Sequence, residues 1–130
     1  MPRSYTLATA ALALGVSAKW IDNALSHHTV KGVVQQRQGI PRRITIDGLL
    51  ILSIALQLTA ELGSTLANAL YLSHQLVANG GRLQPLHGLK IELDLETFRN
   101  QLLSRLEHAV EVAPLPKRGR PSKNTTGRLE

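Results

Sequence analysis

A run of basic residues close to the C-terminus has a spacing that could carry chemistry. It comprises Lys117, Arg118, Gly119, Arg120, Pro121 and Lys123. Gly119 has no side chain, so its backbone can approach a surface closely, and Pro121 favours an extended chain. Guanidinium groups held along such a backbone suit a narrow, strongly negative groove.

This run resembles an AT-hook, whose Arg-Gly-Arg-Pro core occurs whole at residues 118–121. The resemblance implies insertion into the minor groove of A·T-rich DNA. The alternative is a tail that only adds positive charge. Residues 114–130 are polar and basic, with no apolar pattern that a core could use, and we expect them to be disordered when alone.

Catalytic and metal-binding chemistry has little support in the sequence. The chain has no cysteine, which excludes a thiol-ligated zinc. Its histidines lack neighbours at metal-ligand spacing, its serines lack a triad-like context, and there is no Gly-rich phosphate loop. The sequence therefore predicts no enzyme, no cofactor and no metal.

Residues 7–26 contain two helical patterns that meet at Gly15. Small and apolar residues recur at helical spacing before it, which predicts a first helix over 7–14. Gly15 supplies a tight turn, and Ser17 is placed to cap a second helix through its side-chain oxygen. The inward face of that helix is predicted to carry Trp20, Ile21, Ala24 and Leu25.

The second helix is predicted to end within residues 27–31, with Gly32 as the stop. Its outward residues are candidates for base contacts. The candidates are Ser17, Ala18, Lys19, Asn23 and Ser26. Because the two helices and the turn at Gly15-Val16-Ser17 resemble the helix-turn-helix of DNA-binding regulators, we expect these residues to face the major groove, with Lys19 as the guanine contact. Asp22 on the same helix would repel phosphate, and we favour a plain surface role for it over acceptance from a cytosine amino group.

A β-hairpin is predicted directly after the two helices. Residues 33–36 and 42–46 have strand-like composition and are separated by a loop over 38–41. Three arginines, Arg37, Arg42 and Arg43, lie at the tip and on the returning strand. We expect them to contact backbone phosphates.

The rest of the chain predicts three more helices and a second hairpin. Asp47 is expected to start a helix that ends at Gly63. Its apolar segment is shorter than the about 20 residues that a membrane-spanning helix needs. Ser64 is expected to cap a helix ending near Ala78. A hairpin over 82–86 and 89–95 follows, with Leu89, Ile91, Leu93 and Leu95 on its buried side. Asp94 then caps a helix over 95–112.

The apolar stripe of that last helix comprises Phe98, Leu102, Leu106, Ala109 and Val110. Periodicity does not decide whether such a stripe packs on its own domain or on a second copy. We expect a subunit interface, because a single DNA-binding unit of this size contacts only a short half-site and gains specificity by pairing.

Composition agrees with a small helical protein that binds a polyanion. The 130 residues include 43% hydrophobic residues but four aromatic ones, so the core is aliphatic, and the net charge is +6. We divide the chain into a DNA-binding domain over 1–78, a hairpin and helix for dimerisation over 79–113, and the basic tail over 114–130.

The order of elements over residues 5–78 resembles the MerR-like winged-helix group. The resemblance rests on Tyr5-Thr6, on Gly15-Val16-Ser17, and on Arg43 before Asp47. The sequence departs from the effector-sensing members at 22–24, where Asp-Asn-Ala replaces an arginine and paired aromatics. It also has no long C-terminal coiled coil. The resemblance implies a fold and DNA binding, and no particular inducer.

The sequence thus predicts a mainly α, winged helix-turn-helix fold and a sequence-specific transcriptional regulator. Its partners would be double-stranded DNA and a second copy, without a membrane, in the nucleoid of the cytoplasm. One alternative is an antitoxin or adaptor in which residues 82–112 bind a protein. Another is a secreted protein from which residues 1–18, read as a signal peptide, are removed.

Overall fold

A computed structural model of the protein describes residues 3–35 and 41–112, without the side chains of 111 and 112. In these residues the chain is mainly helical, with two small antiparallel sheets, as the sequence predicts. The elements are β1 (Ser4–Tyr5), α1 (Leu7–Leu14), α2 (Ala18–His27), β2 (Val33–Val34), β3 (Arg43–Thr45), α3 (Ile46–Leu62), α4 (Leu66–Ala78), β4 (Arg82–Leu86), β5 (Leu89–Glu92) and α5 (Leu95–Val112).

The boundary between α1 and α2 is set by two local hydrogen bonds. Gly15 adopts a left-handed conformation with φ of 74°, and its N–H donates to the Ala11 carbonyl. The Ser17 hydroxyl oxygen then accepts from the Trp20 N–H at 3.0 Å. The predicted turn and cap are therefore confirmed.

The second helix ends at His27, the first residue of the range 27–31 in which the sequence places its end. Val30 is buried in the core, and the Lys31 N–H donates to the His74 ring on α4 instead of to its own helix. Tertiary contacts thus pull residues 28–31 away from the helical path.

Three short strands form a sheet in the order β1-β3-β2, with antiparallel pairing throughout. Ile44 on the central strand is fully buried. The strands β2 and β3 are shorter than predicted, and residues 36–40, which include Arg37 and most of the predicted loop, lie outside the described residues.

Two glycines allow the sheet to meet the start of α3 closely. A Cβ on Gly48 would lie 2.8 Å from Ile44 Cγ2 and 3.0 Å from the Lys31 carbonyl oxygen. A Cβ on Gly32 would lie 2.6 Å from the Gly48 nitrogen. Backbone contact at this point leaves no room for side chains at either position.

Threonines cap α3 and α4, in place of the residues that the sequence suggests. The Thr45 hydroxyl accepts from the Gly48 N–H at 3.4 Å, so Asp47 lies in the first turn of α3 and does not cap it. The Thr65 hydroxyl accepts from the Asn68 N–H at 3.2 Å, so the predicted cap at Ser64 is wrong by one residue. In both helices the capping residue is a threonine with extended backbone, and its hydroxyl accepts from the N–H three positions later.

The second hairpin and the last helix are confirmed, but β5 ends at Glu92 rather than at residue 95, and Leu89 is 44% exposed rather than buried. The carboxylate of Asp94 accepts from the Thr97 N–H at 3.1 Å and from the Thr97 hydroxyl at 2.8 Å. Both hydrogen bonds lower the pKa of the Asp94 carboxyl below its usual value, and the one from the Thr97 backbone has the larger effect. The predicted cap of α5 is therefore present.

The α5 stripe packs on its own chain, mainly against α1 and also against α3. Leu102 and Leu106 are each 2% exposed, and Ala109 is 1% exposed, within a single copy. Leu102, Leu106 and Ala109 therefore belong to the core and not to the expected subunit interface, whereas Val110 of the same stripe is 47% exposed. Residues before and after position 79 share one core.

Candidate nucleic-acid interface

Helix α2 presents one buried face and one face to solvent. Ile21, Ala24 and Leu25 are buried against the core, and Trp20 packs partly against it. Every residue predicted to meet the major groove lies on the exposed side: Ser17, Ala18, Lys19, Asn23 and Ser26. The inward and outward assignments made from the sequence agree with this packing.

The side chains of Lys19 and Asn23 are the groups on this face that are free to bind. They are four positions apart, so they are neighbours on the helix surface. Neither side chain has a hydrogen-bond or ion-pair partner within residues 3–35 and 41–112. An ammonium and a carboxamide in this arrangement can donate to phosphate or to base edges.

The two serines of the same face are already engaged. The Ser17 oxygen accepts the capping hydrogen bond from Trp20, and the Ser26 hydroxyl donates to the Asp22 carbonyl at 2.8 Å. Both serine hydroxyl groups therefore already form hydrogen bonds with the backbone of α2.

Arg42 connects the returning strand segment to α2. Its Nη1 lies 2.9 Å from Asp22 Oδ1 and 3.5 Å from Ser26 Oγ. The side chains of Arg42 and Asp22 are 25% and 56% exposed, and an exposed pair of this kind contributes about 0–1 kcal/mol. The carboxylate that looked out of place in the sequence is thus neutralised by this arginine, in agreement with a surface role.

Arg43 holds β3 to β1 at the opposite side of the same segment. Its Nε donates to Ser4 Oγ and its Nη2 donates to the Ser4 carbonyl oxygen, both at 2.9 Å. Arg3 also has a local partner, because its guanidinium carbon lies 5.2 Å from the centre of the Tyr5 ring. These arginines position the strands, and binding to phosphate would use their remaining N–H groups.

Arg37 and the whole basic tail lie outside the described residues. The tail residues concerned are Lys117, Arg118, Gly119, Arg120, Pro121 and Lys123. Their proposed contacts remain predictions from the sequence.

Within residues 1–113, positive charge is concentrated toward the N-terminal end of the sequence. Residues 1–47 carry six lysines and arginines against two acidic residues, Asp22 and Asp47. Residues 48–113 carry four basic residues against six acidic ones. Residues 1–47, which contain α2, therefore carry a net charge of +4, and residues 48–113 carry a net charge of −2.

The described residues contain no group of three or more acidic or histidine side chains that could hold a metal ion. Both ring nitrogens of His74 are occupied, since Nδ1 lies 2.7 Å from the Leu70 carbonyl oxygen and Nε2 accepts from the Lys31 N–H at 3.1 Å.

A cavity of about 550 Å³ lies against the β4–β5 hairpin, lined by Arg82, Leu83, Gln84, Lys90, Ile91 and Glu92. Among the described residues, no helix combines the length and apolarity that a membrane crossing needs.

Comparison with known protein families, with curated proteins and with solved structures gives no significant match to this chain.

Proposed function

We propose that this protein binds double-stranded DNA through α2 and acts as a transcriptional regulator. The observation that carries the proposal is the exposed pair of Lys19 and Asn23, which have no partner among the described residues. Helix α2 follows α1 after a tight three-residue turn, as the reading helix of a helix-turn-helix does. The excess of basic residues in the same part of the chain would attract the phosphate backbone.

The β2–β3 segment would act as the wing of this unit. Arg42 and Arg43 keep the segment beside α2 and β1 through Asp22 and Ser4. In this arrangement the wing positions α2, and the N–H groups of the two arginines that face solvent contact phosphate. Arg37, beyond the described part of the segment, would extend that contact.

The test is selection of preferred duplexes from a random-sequence pool, followed by affinity measurement on the selected duplex. Lys19→Ala should weaken binding by about tenfold to a hundredfold, the effect of losing one good base contact, and should relax the preference at one base pair. Asn23→Ala should relax the preference at a different base pair. Binding should also weaken steeply as salt is raised, because counterions are released.

Arg82→Ala is the matched control, since it removes one exposed positive charge from the β4–β5 hairpin, which makes no extensive contact with α2. It should bind the selected duplex almost as the native protein does. A pool that yields no enriched duplex would refute the proposal. So would a Lys19→Ala variant that binds like the Arg82→Ala control.

The tail would add contacts in an adjacent minor groove. Gly119→Ala keeps the full charge of the tail, so it should bind normally if the tail is only counter-charge. If the tail enters a narrow groove, the added methyl group should weaken binding to duplexes with A·T flanks more than to duplexes with G·C flanks. Equal affinities would remove the hook from the proposal and leave the contacts of α2 unaffected.

A further inference from the structure

The β4–β5 hairpin is a two-stranded sheet with one edge suited to further pairing. Isolated two-stranded hairpins are marginal, and unpaired edges readily accept another strand. On β4 the edge is interrupted, because Pro85 lacks an N–H and the pairing shifts register between Leu83 and Leu86. On β5 the pairing partner is β4, and no other described element makes extensive contact with it. The open edge is therefore that of β5.

The pairing with β4 determines which backbone groups of β5 point outward. The Leu93 N–H donates to the Gly81 carbonyl at 2.7 Å, and Ile91 lies opposite Leu83. Backbone groups of successive residues in a strand point to opposite edges. The N–H and C=O groups of Lys90 and Glu92 therefore point away from β4.

Side chains on the hairpin separate by face. Leu83, Ile91 and Leu93 are partly buried against the core, while Lys90 and Glu92 are exposed on the other face. Leu86 and Leu89 lie at the far end of the apolar face and are 61% and 44% exposed. Leu89 was expected on the buried side, and its own chain leaves it partly uncovered.

We propose that a second copy of this chain covers this edge, with the two β5 strands antiparallel about a twofold axis at Ile91. In that register Lys90 lies opposite Glu92 of the second copy, and Glu92 lies opposite its Lys90. These are the residues whose backbone groups point outward, so each pair exchanges two backbone hydrogen bonds. Leu89 meets Leu93 of the second copy, which covers the exposed leucine with apolar surface.

Charge complementarity selects this register over its neighbours. A twofold axis at Lys90 or at Glu92 would place like charges directly opposite each other. An axis between two residues would pair an outward-pointing backbone with an inward-pointing one and would exchange the faces of the sheet. The register about Ile91 satisfies both the charges and the hydrogen bonds. This interface is independent of DNA binding and leaves α5 in the core of each copy.

The first test is the molar mass of the full chain without DNA, measured by sedimentation over a range of concentrations. The native protein should dimerise, and Lys90→Glu should weaken dimerisation by roughly tenfold to a hundredfold, because two attractive pairs become repulsive. The double variant Lys90→Glu with Glu92→Lys restores opposite charges and should dimerise again. It loses the Arg82–Glu92 pair within the hairpin, which is highly exposed and contributes little.

Lys19→Glu is the control, since it makes the same charge change on α2 and should dimerise normally. A monomeric native protein, or a Lys90→Glu variant that dimerises like the control, would overturn the proposal. A charge-swapped double variant that remains monomeric would overturn the register.

Cysteine cross-linking gives a second test that does not depend on charge. The chain has no cysteine, so Ile91→Cys introduces a single thiol at the twofold axis. Residues in such a non-hydrogen-bonded pair have Cα atoms about 4.5 Å apart, within disulfide range. Oxidised glutathione should therefore yield a covalent dimer of Ile91→Cys.

Leu89→Cys is the matched control, because its two copies would be offset by four residues, about 13 Å along the strands. It should remain uncrosslinked under the same conditions. Equal cross-linking of the two variants, or none of Ile91→Cys, would contradict the proposed pairing.

Discussion

Leu102 and Leu103 are adjacent on α5 and allow the packing of this helix to be tested within one turn. Leu102 is 2% exposed and belongs to the core, whereas Leu103 is 38% exposed. Leu102→Ala removes buried methyl groups and leaves a cavity, which should lower the free energy of unfolding by about 2–5 kcal/mol. Leu103→Ala loses part of the transfer term and creates no closed cavity, so its loss should be about 1 kcal/mol or less.

Both variants replace leucine by alanine in the same helix, so the difference in helix propensity cancels. Urea unfolding at several protein concentrations provides the measurement. With an m-value of about 1–3 kcal/mol/M, a loss of about 3 kcal/mol lowers the midpoint by about 1–3 M. Because Leu102 packs within its own chain, its effect should be the same at every protein concentration. Similar losses for the two variants, or an effect of Leu102→Ala that fades at low concentration, would refute this packing.

Three further outcomes are expected from single substitutions. Gly48→Ala should destabilise the fold by about 1–3 kcal/mol in urea unfolding despite the better helix propensity of alanine, because the new Cβ would lie 2.8 Å from Ile44 Cγ2; an unchanged midpoint would contradict that contact. Ser17→Ala should cost about 0.5–2 kcal/mol by removing the cap of α2, and Ser17→Asp should recover most of it, which thermal unfolding can check. Because the pKa of Asp94 is lowered in the folded chain, its carboxylate stabilises the fold above the usual carboxyl pKa, and this contribution is lost as pH falls through the lower folded value. The free energy of unfolding of Asp94→Asn should therefore fall less steeply in acid than that of the native protein. Equal slopes for the two proteins would count against the cap.

Short-range features of this protein follow from the order of its residues. A glycine at position 15 and a serine at position 17 set the turn between α1 and α2, because the left-handed residue and the capping oxygen act within a few positions. The same holds for Asp94 at the start of α5. The outward residues of α2, including Lys19 and Asn23, could be listed in advance because helical periodicity separates its two faces.

Choices between neighbouring residues were less predictable. Asp47 and Ser64 are acceptable helix starters, yet Thr45 and Thr65 form the caps. The path of the preceding chain determines which residue has the extended backbone that a cap requires. The β3 strand fixes it for Thr45, since Ser4 pairs with Thr45 across the sheet.

What the sequence by itself determined is local: the helices, the hairpins and the polar face of α2 depend on hydrogen bonds and periodicities spanning a few residues. Only the tertiary structure decided which surfaces meet. Most of the α5 stripe lies in the core of its own chain, because α5 packs against α1 and α3, which are distant from it in the sequence. Asp22 and Arg42 are 20 positions apart and pair because the sheet brings them together. Periodicity reports that a residue faces inward or outward, and the partner on the other side is set by the packing of distant segments.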